Sequence, residues 1–279
     1  MTTTVETYSL PAELKGTMLE RIMTARLPEV ESTKRKFPGE SIRLALERAP
    51  QVRSLRRTLA RRSGIVAEIK KASPSAGLLR PDFDPVAIAE ECQKAGAAAI
   101  SVVTEANFFQ GGLETLAGLR WHIDLPLLRK DFIVDPYQVL EARHAGADAV
   151  LLIAALLDSA SLKELRCSVE ELGMDALVEV HTEEEVERAL EAGSTLIGVN
   201  SRDLRSFEVS LDVCRRLAAC LPREAVAVAE SGIGTAEDIR WLSKVGYRGF
   251  LIGESLMRAP SPGAALTEFL SALRSVCKE

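Results

Sequence analysis

Four glycines recur at matching places in this chain and restrict its architecture more than any other feature. Gly96, Gly146, Gly193 and Gly246 stand in Ala-Gly-Ala, Ala-Gly-Ala, Ala-Gly-Ser and Val-Gly-Tyr, separated by 50, 47 and 53 residues. Each falls between the end of a helical pattern and a short apolar run. Glycine there tolerates the left-handed turn that reverses the chain. The apolar runs, rich in Val, Ile and Ala, lie near 65–69, 98–103, 125–130, 149–153, 176–180, 195–199, 225–229 and 250–252. Such runs alternating with helical periodicity predict parallel strands joined by crossover helices. Eight of these units, one glycine per two, close into an α/β fold of the (β/α)8 TIM-barrel type. A doubly wound open sheet is the alternative, and the even spacing and the count favour closure.

The helices carry start signals. Thr182 with Glu185 and Thr235 with Asp238 are predicted to open helices, the first as a capping box. The expected organisation is a single domain over 1–279, with the barrel at 65–279 and a helical extension at 1–64 packed on it. Within the extension, helical stretches at 12–25 and 40–48 are expected to be separated by Pro28 and Pro38.

Composition narrows the function classes. The chain has 279 residues, 47% of them hydrophobic and 27% charged, and a net charge of -5, which disfavours a nucleic-acid binder. The basic stretches 34–36 and 53–62 then read as solvated helix faces. The most apolar run, 147–157, is too short for a bilayer and contains Asp148. No signal-peptide pattern is visible, so a cytoplasmic protein without membrane association is expected. Five cysteines without C-x-x-C spacing read as buried small hydrophobes. Three histidines and the absence of a dinucleotide fingerprint, a P-loop or H-E-x-x-H imply neither metal nor cofactor.

Barrel enzymes carry their chemistry at the C-terminal ends of strands. Glu68 and Lys70 share a face of the first strand; Lys130 and Asp131 end the third; Glu179 and His181 lie on the fifth; Asn200 to Arg202 end the sixth, and Glu230 and Ser231 the seventh. Any one buried charge is as readily a structural ion pair, but five strands charged at one end point to a site. Gly232 follows strand seven and Gly253 strand eight, where barrels commonly cradle a phosphate. The residues alone therefore describe a barrel enzyme that acts on a sugar phosphate by lysine and glutamate acid–base chemistry.

The segments Ala67-Glu-Ile-Lys-Lys-Ala-Ser-Pro-Ser75, Leu128-Arg-Lys-Asp-Phe-Ile-Val134, Leu177-Val-Glu-Val180, Gly198-Val-Asn-Ser-Arg-Asp-Leu204, Ala229-Glu-Ser-Gly-Ile233 and Ile252-Gly-Glu-Ser-Leu-Met257 occur in that order. Together they resemble the indole-3-glycerol phosphate synthase family. The resemblance implies ring closure of 1-(2-carboxyphenylamino)-1-deoxyribulose 5-phosphate, then loss of CO2 and of water. It implies Lys130 as the general acid of ring closure and Lys70 as a ligand of the carboxylate or the phosphate. Glu179 would be the dehydration base or proton shuttle, Glu68 the partner of Lys70, Asn200 and Ser231 hydroxyl-binding groups, and Glu230 a group that positions a lysine. Gly232, Gly253 and Glu254 would bind phosphate through their N–H groups, with Ser73 helping and Arg202 among the binding residues. Position 254 is often serine in the family, and a carboxylate beside a dianion repels it. Phe109, Phe132, Leu151 and Leu204 would wall in the aromatic ring, with core packing the better reading for Leu151. His181 has no role in the family and is as readily a helix-capping residue.

Other phosphate-binding barrels remain alternatives. An isomerase such as phosphoribosylanthranilate isomerase would be expected to use a Cys and Asp pair, and no cysteine ends the first strand. A non-catalytic binding barrel would be expected to lose Lys70, Lys130 or Glu179. The expected partner is the small sugar-phosphate substrate, with a monomeric state and at most loose association with other tryptophan-pathway enzymes.

Overall fold

The computed structural model describes residues 8–203 and 208–276. Three helices precede the barrel: α1 (Met18–Lys36), α2 (Gly39–Ala45) and α3 (Leu55–Arg61). Eight parallel strands follow: β1 (Gly64–Ile69), β2 (Ala99–Val103), β3 (Leu127–Lys130), β4 (Ala149–Ile153), β5 (Asp175–Val180), β6 (Leu196–Asn200), β7 (Val226–Glu230) and β8 (Gly249–Ile252). They pair in chain order, and β8 pairs with β1 from Gly64↔Gly249 to Ala67↔Ile252, so the sheet closes. Apart from Asp175 and Lys130, every residue of these eight strands is buried, as expected when helices cover the outside and side chains fill the inside. The eight expected runs are these eight strands, with ends displaced by two residues at most.

The crossover helices are α4 (Pro85–Ala95), α5 (Leu113–Leu119), α6 (Pro136–His144), α7 (Ser159–Glu171), α8 (Glu183–Glu191), α9 (Asp212–Ala218) and α10 (Ala236–Lys244). A short α11 (Glu254–Arg258) and a long α12 (Pro262–Val276) follow β8. Asp84 and Asp135 each cap a helix whose first residue is proline, a position where the missing N–H costs nothing. Thr235 and Asp238 form a full capping box. At Thr182 only half the box forms: its side chain accepts from Glu185 N, but the Glu185 carboxylate accepts from His181 N at 2.6 Å. The repeat glycines Gly96, Gly146, Gly193 and Gly246 have φ of +104°, +92°, +83° and +111°, the left-handed turn their spacing required.

The extension departs from expectation at Pro28, which lies inside α1 instead of ending it. A mid-helix proline loses one backbone hydrogen bond and crowds the preceding turn. Packing on both sides outweighs that here, because Leu19, Ile22 and Met23 before the proline and Val30 after it are buried. Ionic anchors add to it: Arg26 grips Asp131 at 2.8 and 3.2 Å, and Lys34 binds Asp135 at 2.8 Å. The basic stretches are thus only partly solvated faces. Lys34 docks α1, and Arg53 bonds the Ile123 and Leu125 carbonyls while its N–H reaches Asp148 at 2.7 Å. The cysteines also divide. Cys92 and Cys214 are buried, Cys167 is half-buried, Cys220 is exposed, and Cys277 lies outside the described residues.

At the N-terminal end of the barrel the charges are structural. Asp148 binds Arg120 at 2.8 Å, Leu127 N at 2.8 Å and Arg53 N, so three segments meet on one carboxylate. Helix α3 closes this end with Leu55 and Leu59 fully buried, and Arg248 donates to the Leu59 and Ala60 carbonyls.

Since Leu19, Ile22, Met23, Leu55 and Leu59 belong to the same apolar core as the strands, we propose that extension and barrel unfold together. Tryptophan fluorescence and far-UV circular dichroism should then give coincident urea transitions, and two separated transitions would show independent units. Arg26→Ala should lower stability by about 2 kcal/mol. That is less than for an uncompensated buried charge, because Asp131 keeps Arg129 and Thr104.

Candidate active site

A cavity of about 360 Å³ opens where the strands end in their C-terminal loops. Strand register explains why its polar residues meet. Glu179 on β5 pairs with Ile153 on β4 and Gly198 on β6, while Asn200 on β6 pairs with Glu230 on β7. Lys130, the last residue of β3, pairs with Val103. One layer of the barrel therefore presents its final inward side chains together.

Lys130 is the centre of this layer. Its Nζ lies 3.2 Å from Glu179 Oε2 and 3.5 Å from Glu230 Oε2. Lys70 Nζ donates to Glu68 Oε1 at 2.5 Å, as the shared strand face predicted. Burial alone would lower the Lys130 pKa, but the carboxylates of Glu179, Glu230 and Glu68 outweigh it and hold the ammonium above its ordinary range. Burial would likewise raise Glu68, yet Lys70 and Lys130 keep it below the usual carboxylate value. Glu230 goes the other way. Burial pushes it up to about 8, with Lys130 opposing and the Glu179 and Glu68 charges adding to the rise. Among the described residues the Glu230 oxygens have no close hydrogen-bond donor, and the nearest ammonium, Lys130 Nζ, stands 3.5 Å away. Three carboxylates face two ammonium groups, and the one with the poorest support is the one whose pKa is raised.

Two glycines make room for this arrangement. A Cβ at Gly198 would collide with the Glu230 carboxylate, and one at Gly253 with Glu68. Gly253, read from the sequence as a phosphate contact, thus has a second reason to lack a side chain.

The wall on the β2 to β4 side is apolar: Phe109, Phe132, Val103, Leu151 and Ile153 line it, with the two rings 6.1 Å apart and tilted by 41°. On the β7 and β8 side lie Ser231, Gly232, Ile233, Gly234, Gly253, Glu254 and Ser255. Ser231 and Gly232 both have positive φ, +63° and +74°, which turns the backbone sharply at the strand end. For a serine this conformation costs of order 1 kcal/mol, a strain met most often at functional sites. Ser255 Oγ donates to the Ile233 carbonyl at 3.0 Å and ties the two loops together.

Ser73, Asn200 and Arg202 also line the cavity. Among the expected site residues only Leu204 is not placed there, because it lies outside the described residues. His181 does not face this cavity. Its Nδ1 is 2.7 Å from the Asn200 carbonyl, and its ring borders a neighbouring cavity of about 230 Å³ that also touches Glu179. Among the described residues no group of three or more His, Cys, Asp or Glu is placed to hold a metal ion. No described helix is long and apolar enough to cross a membrane.

The family model for indole-3-glycerol phosphate synthase matches residues 19–269. An indole-3-glycerol phosphate synthase of Carboxydothermus hydrogenoformans is 50% identical over 262 residues, which span 91% of this chain and 99% of that protein. One from Roseiflexus sp. is 48% identical over 90% of this chain and 97% of its own length. The chain belongs to the indole-3-glycerol phosphate synthase family. It is therefore a carboxy-lyase of tryptophan biosynthesis. Among solved structures, thiamine phosphate pyrophosphorylase from Pyrococcus furiosus superposes with a TM-score of 0.60 at 19% identity, covering 80% of this chain and 99% of its own. For 3-hexulose-6-phosphate synthase from Salmonella typhimurium the values are 0.62, 12%, 76% and 99%. These likenesses concern the barrel alone.

Some residues of this synthase-family cavity were not singled out from the sequence. Ile153 stands two residues beyond Leu151 on β4, so the strand period places both on one face. Arg258 is four residues beyond Glu254, the spacing of an ion pair on a helix, and the two are 3.0 Å apart.

The raised Glu230 pKa sets a pH dependence. The folded state holds this proton more tightly than the unfolded chain, so the contribution of Glu230 to stability is complete below its unfolded value. It is lost as pH rises through about 8. Glu230→Gln, which cannot ionise, should gain thermal stability over the native chain progressively between about pH 4.5 and 8, with no further gain above. Calorimetry across that range checks it, and a pH-independent difference would place the proton elsewhere.

Proposed function

We propose that the cavity binds 1-(2-carboxyphenylamino)-1-deoxyribulose 5-phosphate with its aryl ring against Phe109, Phe132, Leu151 and Ile153 and its phosphate on the loops after β7 and β8. The observation that carries this reading is the position of Lys130. Its half-buried ammonium lines the cavity together with the apolar wall and the glycine loops, within reach of Glu179 and Glu230. A substrate stretched between ring pocket and phosphate cradle brings its ketose carbonyl to that ammonium.

In the first step the ring carbon bearing the carboxylate attacks the carbonyl carbon. A carbon–carbon bond forms, and the carbonyl electrons move to oxygen. Lys130 donates a hydrogen bond to the growing alkoxide and then its proton. A nascent alkoxide is more basic than an ammonium, even one whose pKa is raised. Loss of CO2 returns the electrons of the broken bond to the ring and restores aromaticity. Lys70, held by Glu68, binds the carboxylate until it leaves, or steadies the phosphate.

Dehydration removes the new hydroxyl and a neighbouring carbon-bound proton. Glu179 is the base or proton shuttle, and its bond to Lys130 lets the proton gained by one return to the other. Glu230, neutral below about 8, supplies no charge to compete with Glu179 for Lys130. Asn200 and Ser231 hold substrate hydroxyls. Asn200 is itself fixed: its carbonyl meets His181 and its Oδ1 accepts from Arg202 N at 3.0 Å. His181 is thus a positioning residue. Gly232, Gly253 and Glu254 contribute backbone N–H groups to the phosphate, helped by Ser73 and Arg202.

The scheme uses only the chain's own acids and bases, and neither metal nor cofactor enters it. We take the enzyme to act in the cytoplasm as a monomer, with at most loose association with other tryptophan-pathway enzymes and no nucleic-acid or membrane partner. Indole-glycerol phosphate fluorescence tests the central assignment. Lys130→Ala should lower kcat by about 10²- to 10⁴-fold with an unchanged circular dichroism spectrum. Retention of a tenth of the native rate would move the acid role to Lys70.

A further inference from the structure

The Glu254 carboxylate lies on the cavity rim between two guanidinium groups. Its Oε1 accepts from Arg258 Nε at 3.0 Å, and its Oε2 is 3.8 Å from Arg202 Nη2. Arg202 also donates to Ser75 Oγ at 3.4 Å through Nη1. Ser75 belongs to the loop after β1, Arg202 to the loop after β6, and Glu254 and Arg258 to α11 after β8. Side chains from three loops therefore join across the opening, and all four line the cavity that holds Ser231, Gly232 and Gly253.

Two arginines at the mouth of a site for a phosphate dianion are natural ligands of it, because the guanidinium fork matches phosphate oxygens. A carboxylate between them repels that dianion and occupies the donors it needs. These pairs are also weak enough to exchange: the side chains of Glu254 and Arg258 are 39% and 52% exposed, and solvent-exposed pairs hold loosely. A ligand with two charges and three acceptor oxygens outcompetes one carboxylate for them.

We propose that Glu254 is a built-in competitor for the substrate phosphate. It neutralises Arg202 and Arg258 in the empty site, yields them when a phosphorylated ligand binds, and reclaims them as product leaves. This rests on the placement of the phosphate on the loops after β7 and β8. Glu254 then acts at the same site with the opposite sign to Gly232 and Gly253, lowering the affinity for substrate and product alike and hastening release.

Inorganic phosphate, used as a competitive inhibitor in the fluorescence assay, separates the inference from the reading beneath it. Glu254→Gln, which keeps the shape and removes the charge, should lower the phosphate inhibition constant and the KM by about 3- to 10-fold. Inhibition by indole-glycerol phosphate should tighten in step. Glu254→Ser, measured in the same way, should agree in direction and guards against a folding defect in the first variant. Adding Arg258→Met to Glu254→Gln should remove part of the gain. If wild type is inhibited competitively but either folded variant binds phosphate no more tightly, or more weakly, Glu254 orients the arginines and the inference fails alone. If phosphate does not compete with substrate in wild type, the phosphate placement fails and the inference with it.

Discussion

Glu68, Glu179 and Glu230 are withdrawn from water at the end of the barrel, around a Lys130 side chain that stays 18% exposed, and each carboxylate alone would cost several kcal/mol to bury as an ion. They are tolerable only as a set. The Lys130 ammonium lies 3.2 Å from Glu179 and 3.5 Å from Glu230, Glu68 has its own lysine, and burial together with the neighbouring carboxylates raises the pKa of Glu230. The rest of the cavity is organised around this set. The glycines opposite it leave space for carboxylates, the strand register brings the side chains to one level, and the apolar wall keeps the local dielectric low.

The surroundings of Lys130 are as firmly built as the lysine itself. Asp131, the next residue, points away from the cavity centre into a network of Arg129, Thr104 and Arg26, and Arg129 and Arg26 keep it ionised despite burial. Arg26 comes from α1, so the extension holds the strand end that carries the central ammonium. Opposite, on the floor of the barrel, Asp148 gathers Arg53, Arg120 and Leu127. Both ends of the barrel bury charge, but only the C-terminal end leaves some of it open to a ligand.

The repeat glycines, the alternating apolar runs and the charged strand ends were legible in the sequence because each obeys a local rule of period or turn geometry. Glu68 with Lys70 followed from a period of two. What could not be read depends on distant partners. Pro28 stays helical because the apolar face of α1 is buried on both sides of it, and Asp131 and Asp135, a hundred residues on, add ionic anchors. Arg53 and Lys34 read as solvated until their acceptors are known. Glu185 accepts from His181 N, one residue before the N–H that a capping box would use. The Glu254 carboxylate, an oddity at a phosphate site by sequence, makes sense only beside Arg202, which arrives from another strand.

Gly198 and Gly253 touch the carboxylates of Glu230 and Glu68 from the side that a Cβ would occupy. This makes the order of mutations matter. While both glutamates keep their present positions, a Cβ at either glycine meets a carboxylate, so a side chain can enter only by displacing a glutamate. Shortening a glutamate first would open its glycine to substitution, and a side chain arriving there would then block the glutamate's return. A barrel of this kind that lost its buried carboxylates would be hindered from regaining them by two positions that carry no side chain at all.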